Sequence, residues 1–417
     1  MIINKIKARE VIDSRGNPTI ECEVLTTKGV FSAIVPSGAS TGTHEALELR
    51  DGDDRFLGRG VLKAVRNVNT IIAKKIVGKY FSEQREIDET LIKLDGTPNK
   101  SRLGANSILS VSMACCRAFA RQEELELYEY IANIINNKKF VMPVPSFNII
   151  NGGKHAGNNL EIQEYMIFPY KAKSFKEALQ MGCETYHLLK EEIEKKYGKN
   201  ATGVGDEGGF APKVTDIEEP IVLLEDAIKK AGYSSKIRIN LDCAASEFSK
   251  NGKYYLEGMQ YSGSELLERY KEITQKYPIF SIEDPFSQED WVNFSAITKE
   301  LKKVQIVGDD LLCTNTQRIQ KALVLNACNA LLLKINQIGT IYEAIEAFQM
   351  AAKHGWNIMV SHRSGETEDT FISDLAVGLG NGQIKSGAPC RGERTSKYNQ
   401  LLRIEERLGK RAKFGNF

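Results

Sequence analysis

The sequence predicts an α/β protein in which a β/α barrel over residues 139–417 follows a smaller α+β domain over residues 1–138. Three observations carry that reading. The chain of 417 residues is too long for one compact layered domain, but accommodates a barrel of roughly 250 residues with a smaller partner. Six short apolar runs, "KIRINLD", "IFSIED", "QIVGDD", "ALLLK", "NIMVSHR" and "GQIKS", each lead into an amphipathic stretch long enough for a helix. Their polar ends Glu283, Asp309, Lys334, His362 and Lys385 recur every 23 to 28 residues, the length of one strand plus one helix. Before them, strands come first and helices second, the order of an α+β domain.

The elements follow in chain order. "TIECEVLTTKGVFSAIVP" alternates Ile20, Cys22 and Val24 with Thr19, Glu21 and Glu23 and turns at Lys28-Gly29, a half-buried antiparallel hairpin. Val61, Val65, Val68, Ile72 and Ile76 recur at helical spacing, and "ANSILSVSMACCRAFA" forms a second helix with Asn106 as its expected cap. The charged stretch before Pro143 and Pro145 suits a surface crossing that no helix continues through, which places the domain boundary near residue 139. The later units fit a closed barrel better than an open doubly wound sheet. In a barrel all strand carboxyl ends meet on one face, so residues far apart in sequence surround one small molecule.

Composition narrows the function. With 42% hydrophobic and 26% charged residues the chain is ordinary globular material, and disordered and fibrous classes drop out. A net charge of +2 excludes the concentrated basic stripe of a nucleic-acid binder. Lys5, Lys7 and Arg9 lead into no apolar core and no run of about 18 apolar residues occurs, so a cytoplasmic protein without membrane partners is expected. The eight cysteines are scattered without a C-x-x-C, as expected of reduced, buried thiols. Asn99, Asn200 and Asn293 begin sequons that mean nothing without export.

Asp242, Glu283 and Asp309 end three successive strands. One such acid is more often a helix cap or the partner of a surface lysine; three brought together repel one another unless a cation sits among them, and all-oxygen ligation favours Mg²⁺ or Mn²⁺ over zinc. Lys334 follows Ala-Leu-Leu-Leu, which puts its amine near that metal, where a neighbouring cation and desolvation are expected to lower its pKa and make it a base; the bland alternative is a salt bridge to one of the acids. Lys385 adds a second cation for an anionic substrate, and Arg363 with Ser364 in "SHRSGET" is suited to a phosphate. "GVGDEGG" has dinucleotide-binding spacing but follows a charged helix and carries Asp206 and Glu207, which repel a pyrophosphate, so it reads as a loop bearing an acid. "PSGASTG" at residues 36–42 lacks the P-loop lysine and reads as a lid. His155 sits in a glycine-rich loop shortly before Gln163 and Glu164, whereas His44, His187 and His354 read as packing or surface residues.

Taken together, "SGASTG", "NGG-HAGN", "QEYMI", "GDEGGFAP", "LDCAASEF", "SIEDPF", "GDDL", "LLLKINQIGT", "VSHRSGETED" and "IKSGAPCRGER" occur in an order that closely resembles the enolase family along essentially the whole chain. The resemblance implies a modified TIM-type (β/α)8 barrel of ββαα(βα)6 order. It implies Asp242, Glu283 and Asp309 as ligands of a first Mg²⁺, and a second Mg²⁺ that arrives with substrate and is held by Ser40. By the same resemblance Lys334 is the base and Glu207 the acid, with Glu164 beside it. Arg363 and Ser364 hold phosphate, and His155, Gln163, Glu164, His362, Lys385, Ala39 and Ser40 complete the substrate contacts. The implied reaction is the reversible dehydration of 2-phospho-D-glycerate to phosphoenolpyruvate by a cytoplasmic homodimer or larger homo-oligomer. Lys154 departs from the family's smaller or acidic residue and adds charge to its loop. Two rival readings stay open: a barrel of the mandelate-racemase or muconate-cycloisomerase type, which lacks "SHRSGE" and the "SGASTG" lid, and a family member with an additional non-catalytic binding role.

Overall fold

The structure, a computed structural model, describes residues 1–39 and 41–417. Strands β1 (Lys5–Ile12), β2 (Pro18–Thr26) and β3 (Gly29–Ile34) form an antiparallel sheet in that order. Alternation sends Ile20, Cys22 and Val24 inward, all fully buried, and the hairpin turns at Thr27-Lys28, one residue before the expected Lys28-Gly29, because Gly29 already pairs with Thr26. The helical segment after it is not continuous. Helices α1 (Leu62–Asn67) and α2 (Ala73–Ile76) are joined by a π-helical turn over Val68–Ile72, in which the Asn69 amide bonds both Ala8 N (2.7 Å) and Ala8 O (3.0 Å) on β1. Val61, Val68, Ile72 and Ile76 are buried as their spacing requires. Helices α3 (Gln84–Asp95), α4 (Ala105–Gln122) and α5 (Leu127–Ile134) complete this part.

Asn106 does not cap α4. The cap position is Gly104 at φ 92°, and the Asn106 amide, inside the first turn, bonds Leu49 N (3.1 Å) and Leu49 O (3.0 Å). It is spent on pinning the chain that leaves the 36–48 loop, a long-range contact that local capping rules do not anticipate.

Strand β4 (Val141–Met142) leads into β5 (Val144–Asn151), followed by β6 (Glu164–Phe168), helices α6 (Phe175–Tyr197) and α7 (Glu219–Lys230), and β7 (Arg238–Asp242). A small antiparallel excursion, β8 (Ser249–Lys250), β9 (Lys253–Leu256) and β10 (Met259–Tyr261), precedes α8 (Gly263–Lys276). Then come β11 (Ile279–Glu283), α9 (Trp291–Glu300), β12 (Gln305–Gly308), α10 (Thr316–Leu325), β13 (Ala330–Leu333), α11 (Ile335–Ile338) and α12 (Ile341–Lys353). The chain closes with β14 (Asn357–Ser361), α13 (Phe371–Leu379), β15 (Gly382–Lys385), α14 (Gly392–Leu408) and β16 (Lys413–Phe414).

The eight strands β5-β6-β7-β11-β12-β13-β14-β15 close into a barrel. β6 runs antiparallel to both neighbours and the other pairs are parallel, so the order is ββαα followed by repeated βα units. Local signals set the helix starts: Ser174, Ser262, Asp290, Asn315 and Thr340 cap α6, α8, α9, α10 and α12, their side chains accepting first-turn amides. Val307, Ala330, Leu332 and Met359 pack as their own cluster, separate from the core that the helices share with Leu331 and Leu333. Two-residue alternation carries that small cluster's face on to Lys334, turning its stem the same way as Leu332.

Packing of α6 on β5 is tight enough to test. A Cβ on Gly182 would lie 2.4 Å from Phe147 Cε2, and Phe147 is fully buried. Gly182→Ala is expected to cost about 1–3 kcal/mol, read as a lowered urea midpoint at unchanged slope. An unchanged midpoint would show that the ring has room to move.

Candidate active site

Strand register brings the acids together. Glu164 opens β6 and pairs with Asp242 at the end of β7, which pairs in turn with Glu283 at the end of β11. Because β6 runs backwards, its first residue lies on the face where the parallel strands end. Lys385 ends β15 beside Ser361 of β14, and His362, Arg363 and Ser364 follow directly.

Nine of the residues expected at the site line one narrow cleft: His155, Gln163, Glu164, Glu207, Lys334, His362, Arg363, Ser364 and Lys385. Ala39 joins from the other end of the chain, its N–H donating to Ser364 Oγ (2.7 Å), while Ser37 and Gly365 exchange backbone hydrogen bonds of 2.8 Å. The 36–39 segment is therefore tacked onto the loop that follows β14. Ser40, expected as a metal and substrate ligand, lies outside the described residues.

The three acids expected to share a metal surround lysines. Lys385 Nζ lies 3.0 Å from Asp242 Oδ2, 2.8 Å from Glu283 Oε1 and 3.4 Å from Glu164 Oε1. Lys334 Nζ lies 2.5 Å from Asp309 Oδ2, and Gln337 Nε2 donates to Asp309 Oδ1 (2.8 Å). The salt bridge that was the bland reading of Lys334 is thus present. It also reverses the expected shift: burial, the largest single influence, lowers the Lys334 ammonium, but Asp309 together with further acids such as Glu283 holds it above its usual value. For Asp309, burial pushes upward, yet Lys334 and Lys385 hold the carboxyl below its ordinary range. Glu283 is pushed well up by burial and by Asp242.

Among the described residues, the acidic groups whose ligand atoms lie within 4.8 Å of one another are His155/Glu164/Glu207 and Asp284/Asp309/Asp310. Asp242, Glu283 and Asp309 are not such a group. Asp284 is already committed, because its two oxygens accept Asp309 N (3.0 Å) and Asp310 N (2.7 Å) from a left-handed backbone at φ 41°. The two acids of "SIEDPF" therefore differ: Glu283 faces the cleft's lysine, and Asp284 shapes the turn that presents Asp309. The site nevertheless fits a divalent cation. Asp242, Glu283 and Asp309 are buried hard oxygen donors, and Glu164 Oε2 and Gln163 Oε1 are buried without hydrogen-bond partners.

Glu207 reaches the cleft on the 203–211 loop, which folds back on itself through Gly205 N–Gly209 O (2.8 Å) and Ala211 N–Gly203 O (2.9 Å). Gly205 is required there, since a Cβ would meet His155 O at 2.4 Å. His155 Nδ1 stands 3.5 Å from Glu207 Oε1 and 3.6 Å from Glu164 Oε1. Burial and Glu207 push Glu164 well above the carboxyl range. Burial would raise Glu207 too, but His155 and His362 outweigh it and hold Glu207 well below. The two carboxyls of the pair are thus pushed in opposite directions.

Other residues enter that sequence reading did not assign. Glu45 pairs with Arg363 (2.9 Å), which also bonds Asn336 Oδ1 (3.0 Å). Asn148 Nδ2 donates to Glu207 Oε2 (2.9 Å). Gln337 and Arg394 lie within motifs already conspicuous in the sequence, yet only their contacts reveal them. Lys154 pairs with Glu247 at 2.7 Å, joining the glycine-rich loop to the segment after β7. His44 pairs with Glu289 (2.7 Å), His354 Nδ1 donates to Met350 O (2.8 Å), and His187 packs on Tyr186, all away from the cleft.

Comparison with known proteins gives one family. "Enolase, C-terminal TIM barrel domain" matches residues 139–416, and "Enolase, N-terminal domain" matches residues 3–131. Enolase of Methanocaldococcus jannaschii is 59% identical over 408 residues, covering 98% of this chain and 96% of that protein. Enolase of Methanococcus aeolicus is 59% identical over 97% of this chain and 95% of its own, and enolase of Solanum lycopersicum 56% identical over 98% and 96%. With a closed barrel of matching order and its polar residues gathered on one cleft, the chain belongs to the enolase family and is a lyase of the phosphopyruvate hydratase class.

Proposed function

We propose that the protein catalyses the Mg²⁺-dependent, reversible dehydration of 2-phospho-D-glycerate to phosphoenolpyruvate, serving glycolysis and gluconeogenesis in the cytoplasm as a homodimer or larger homo-oligomer. Residues 1–138 act as a capping domain and residues 139–417 as the catalytic barrel. The observation that supports the reading is the convergence of Lys334, the Glu164–Glu207 pair and Arg363–Ser364 on one cleft whose lysines are tied to three buried carboxylates.

Asp242, Glu283 and Asp309, with Ser40, would hold two Mg²⁺, the second entering with substrate, and the bound ions offset the negative charge that builds on the substrate carboxylate. Arg363 and Ser364 hold the phosphate, with His155, Gln163, His362 and Ala39 as further contacts. Lys334, released from Asp309 and neutral, takes the proton from C2. The electron pair then spreads into the carboxylate, and Lys385 faces the resulting dianion. As the C2–C3 double bond forms, the C3–O bond breaks and Glu207 protonates the departing hydroxyl to water. That step requires Glu207 to carry a proton against the neighbours that hold its carboxyl well below the ordinary range.

The protein stripped with EDTA and given 2-phosphoglycerate is expected to show no rise in ultraviolet absorbance from the enol double bond until Mg²⁺ is added. A folded, Mg²⁺-replete protein that produces no rise would overturn the proposal.

A further inference from the structure

Helix α14 enters the site from behind. Its first turns carry two fully buried cations three residues apart, Arg394 and Lys397, both spent on the loop that follows β14. Lys397 bonds Glu366 (2.8 Å) and the Thr367 carbonyl, and Glu366 accepts Arg363 N (3.2 Å). Arg394 makes four bonds: Nη1 to His362 Nδ1 (2.6 Å) and Arg363 O (2.5 Å), and Nη2 to Ser364 O (2.5 Å) and Asp206 O (3.0 Å). One guanidinium thus joins both loops that carry cleft residues, those ending in Ser364 and holding Glu207.

The bond to His362 has a chemical consequence. A guanidinium only donates, so Nδ1 of His362 must be the acceptor, and a neutral imidazole then carries its proton on Nε2. Nε2 is buried without a hydrogen-bond partner, its neighbour being Glu207 Oε2 at 3.4 Å, and Asn148 Nδ2 already donates to that same oxygen at 2.9 Å. With Oε2 accepting from Asn148 and standing next to His362 Nε2, the remaining oxygen Oε1, which faces His155 and Glu164, is where Glu207 can carry a proton.

We propose that Arg394 is a positioning residue that locks His362 in the Nε2–H tautomer and thereby assigns the transferable proton of Glu207 to Oε1. The inference rests on the reading of Glu207 as proton donor, but its first test does not use the reaction. Burial holds His362 down to about 4, consistent with a neutral ring through neutral pH.

The test is ¹⁵N NMR of the full chain with labelled histidine side chains, without substrate. The sequence holds five histidines, and His362→Gln identifies the signal by its loss. A neutral ring protonated at Nε2 is expected. Arg394→Met should lose that single tautomer and lower kcat about 10- to 100-fold, the usual effect of removing a group that orients a histidine, with KM changing much less. Arg394→Lys, which restores one donor, should recover the tautomer. A wild-type His362 protonated at Nδ1, or doubly protonated, would overturn the proposal whether or not the variants fold. So would a folded Arg394→Met protein that keeps the Nε2–H signal, whatever its activity. Because the spectrum needs no turnover, failure here and failure of the absorbance assay are separate results.

Discussion

Lys334→Ala is expected to abolish exchange of the substrate's C2 proton with solvent, whereas Glu207→Gln keeps that exchange and loses dehydration. Each variant should lose about 10²- to 10⁴-fold in overall rate, the usual contribution of a positioned acid or base. The difference lies in which bond each group serves. Among the described residues Lys334 and Lys385 are the lysines that line the cleft, and Lys334 is tied to Asp309, from which it must be released to act on a C–H bond. Lys385 is held by three carboxylates and pushed well above its usual value, chiefly by Asp242 once burial is overcome, so it stays an ammonium. Glu207 lies among His155, His362 and Asn148 with its carboxylate favoured, which suits a group that receives a proton and hands it to a leaving oxygen. Isotope exchange followed by mass spectrometry checks the division of labour; equal loss of exchange in both variants would refute it.

Lys385→Met is expected to destabilise the protein in EDTA by about 3–5 kcal/mol, the cost of leaving buried charges without their partner. The ammonium bonds Asp242, Glu283 and Glu164, all of them buried. Without it the carboxyls must either repel or take up protons. Glu283 already stands well above the carboxyl range through burial and Asp242, and loss of Lys385 raises it further. A carboxyl raised in the folded state contributes stability at low pH that is lost as pH climbs through the folded value. The deficit of the variant should therefore widen from acidic to neutral pH. Added Mg²⁺, replacing the missing cation, should recover more of the urea midpoint in the variant than in the wild type. A deficit under about 1 kcal/mol at neutral pH would mean that the acids do not depend on Lys385.

Much of the architecture was legible because it is written in local periodicity. Short apolar runs such as Ile279–Glu283 and Ala330–Leu333 are buried strands, and the polar residue closing or following each falls on one face once the strands are parallel. Capping residues such as Ser262 with Glu265 mark the helix starts in between. Where a side chain was claimed by a distant partner, local rules failed. Asn106 reads as a cap and is instead consumed by Leu49, and the π-helical turn after α1 is invisible to a spacing that a regular helix satisfies equally well.

The site divides the same way. The residue types and their strand-end positions determine that acids, lysines and an Arg-Ser pair converge, and the motif set identifies the family without any coordinates. What only the tertiary structure decided is which charge meets which. Lys385 lies 143 residues from Asp242 and 102 from Glu283, Arg363 lies 318 from Glu45, and these pairs exist because barrel closure and seating of the first domain bring their elements within reach. Electrostatic energy depends on separations of a few ångströms and on burial, neither of which is encoded at any single position. That is why Lys334 stands raised instead of lowered, why Glu164 is pushed up while Glu207 is held down, and why Arg394, unremarkable in "RGERTSK", bonds the histidine of the cleft.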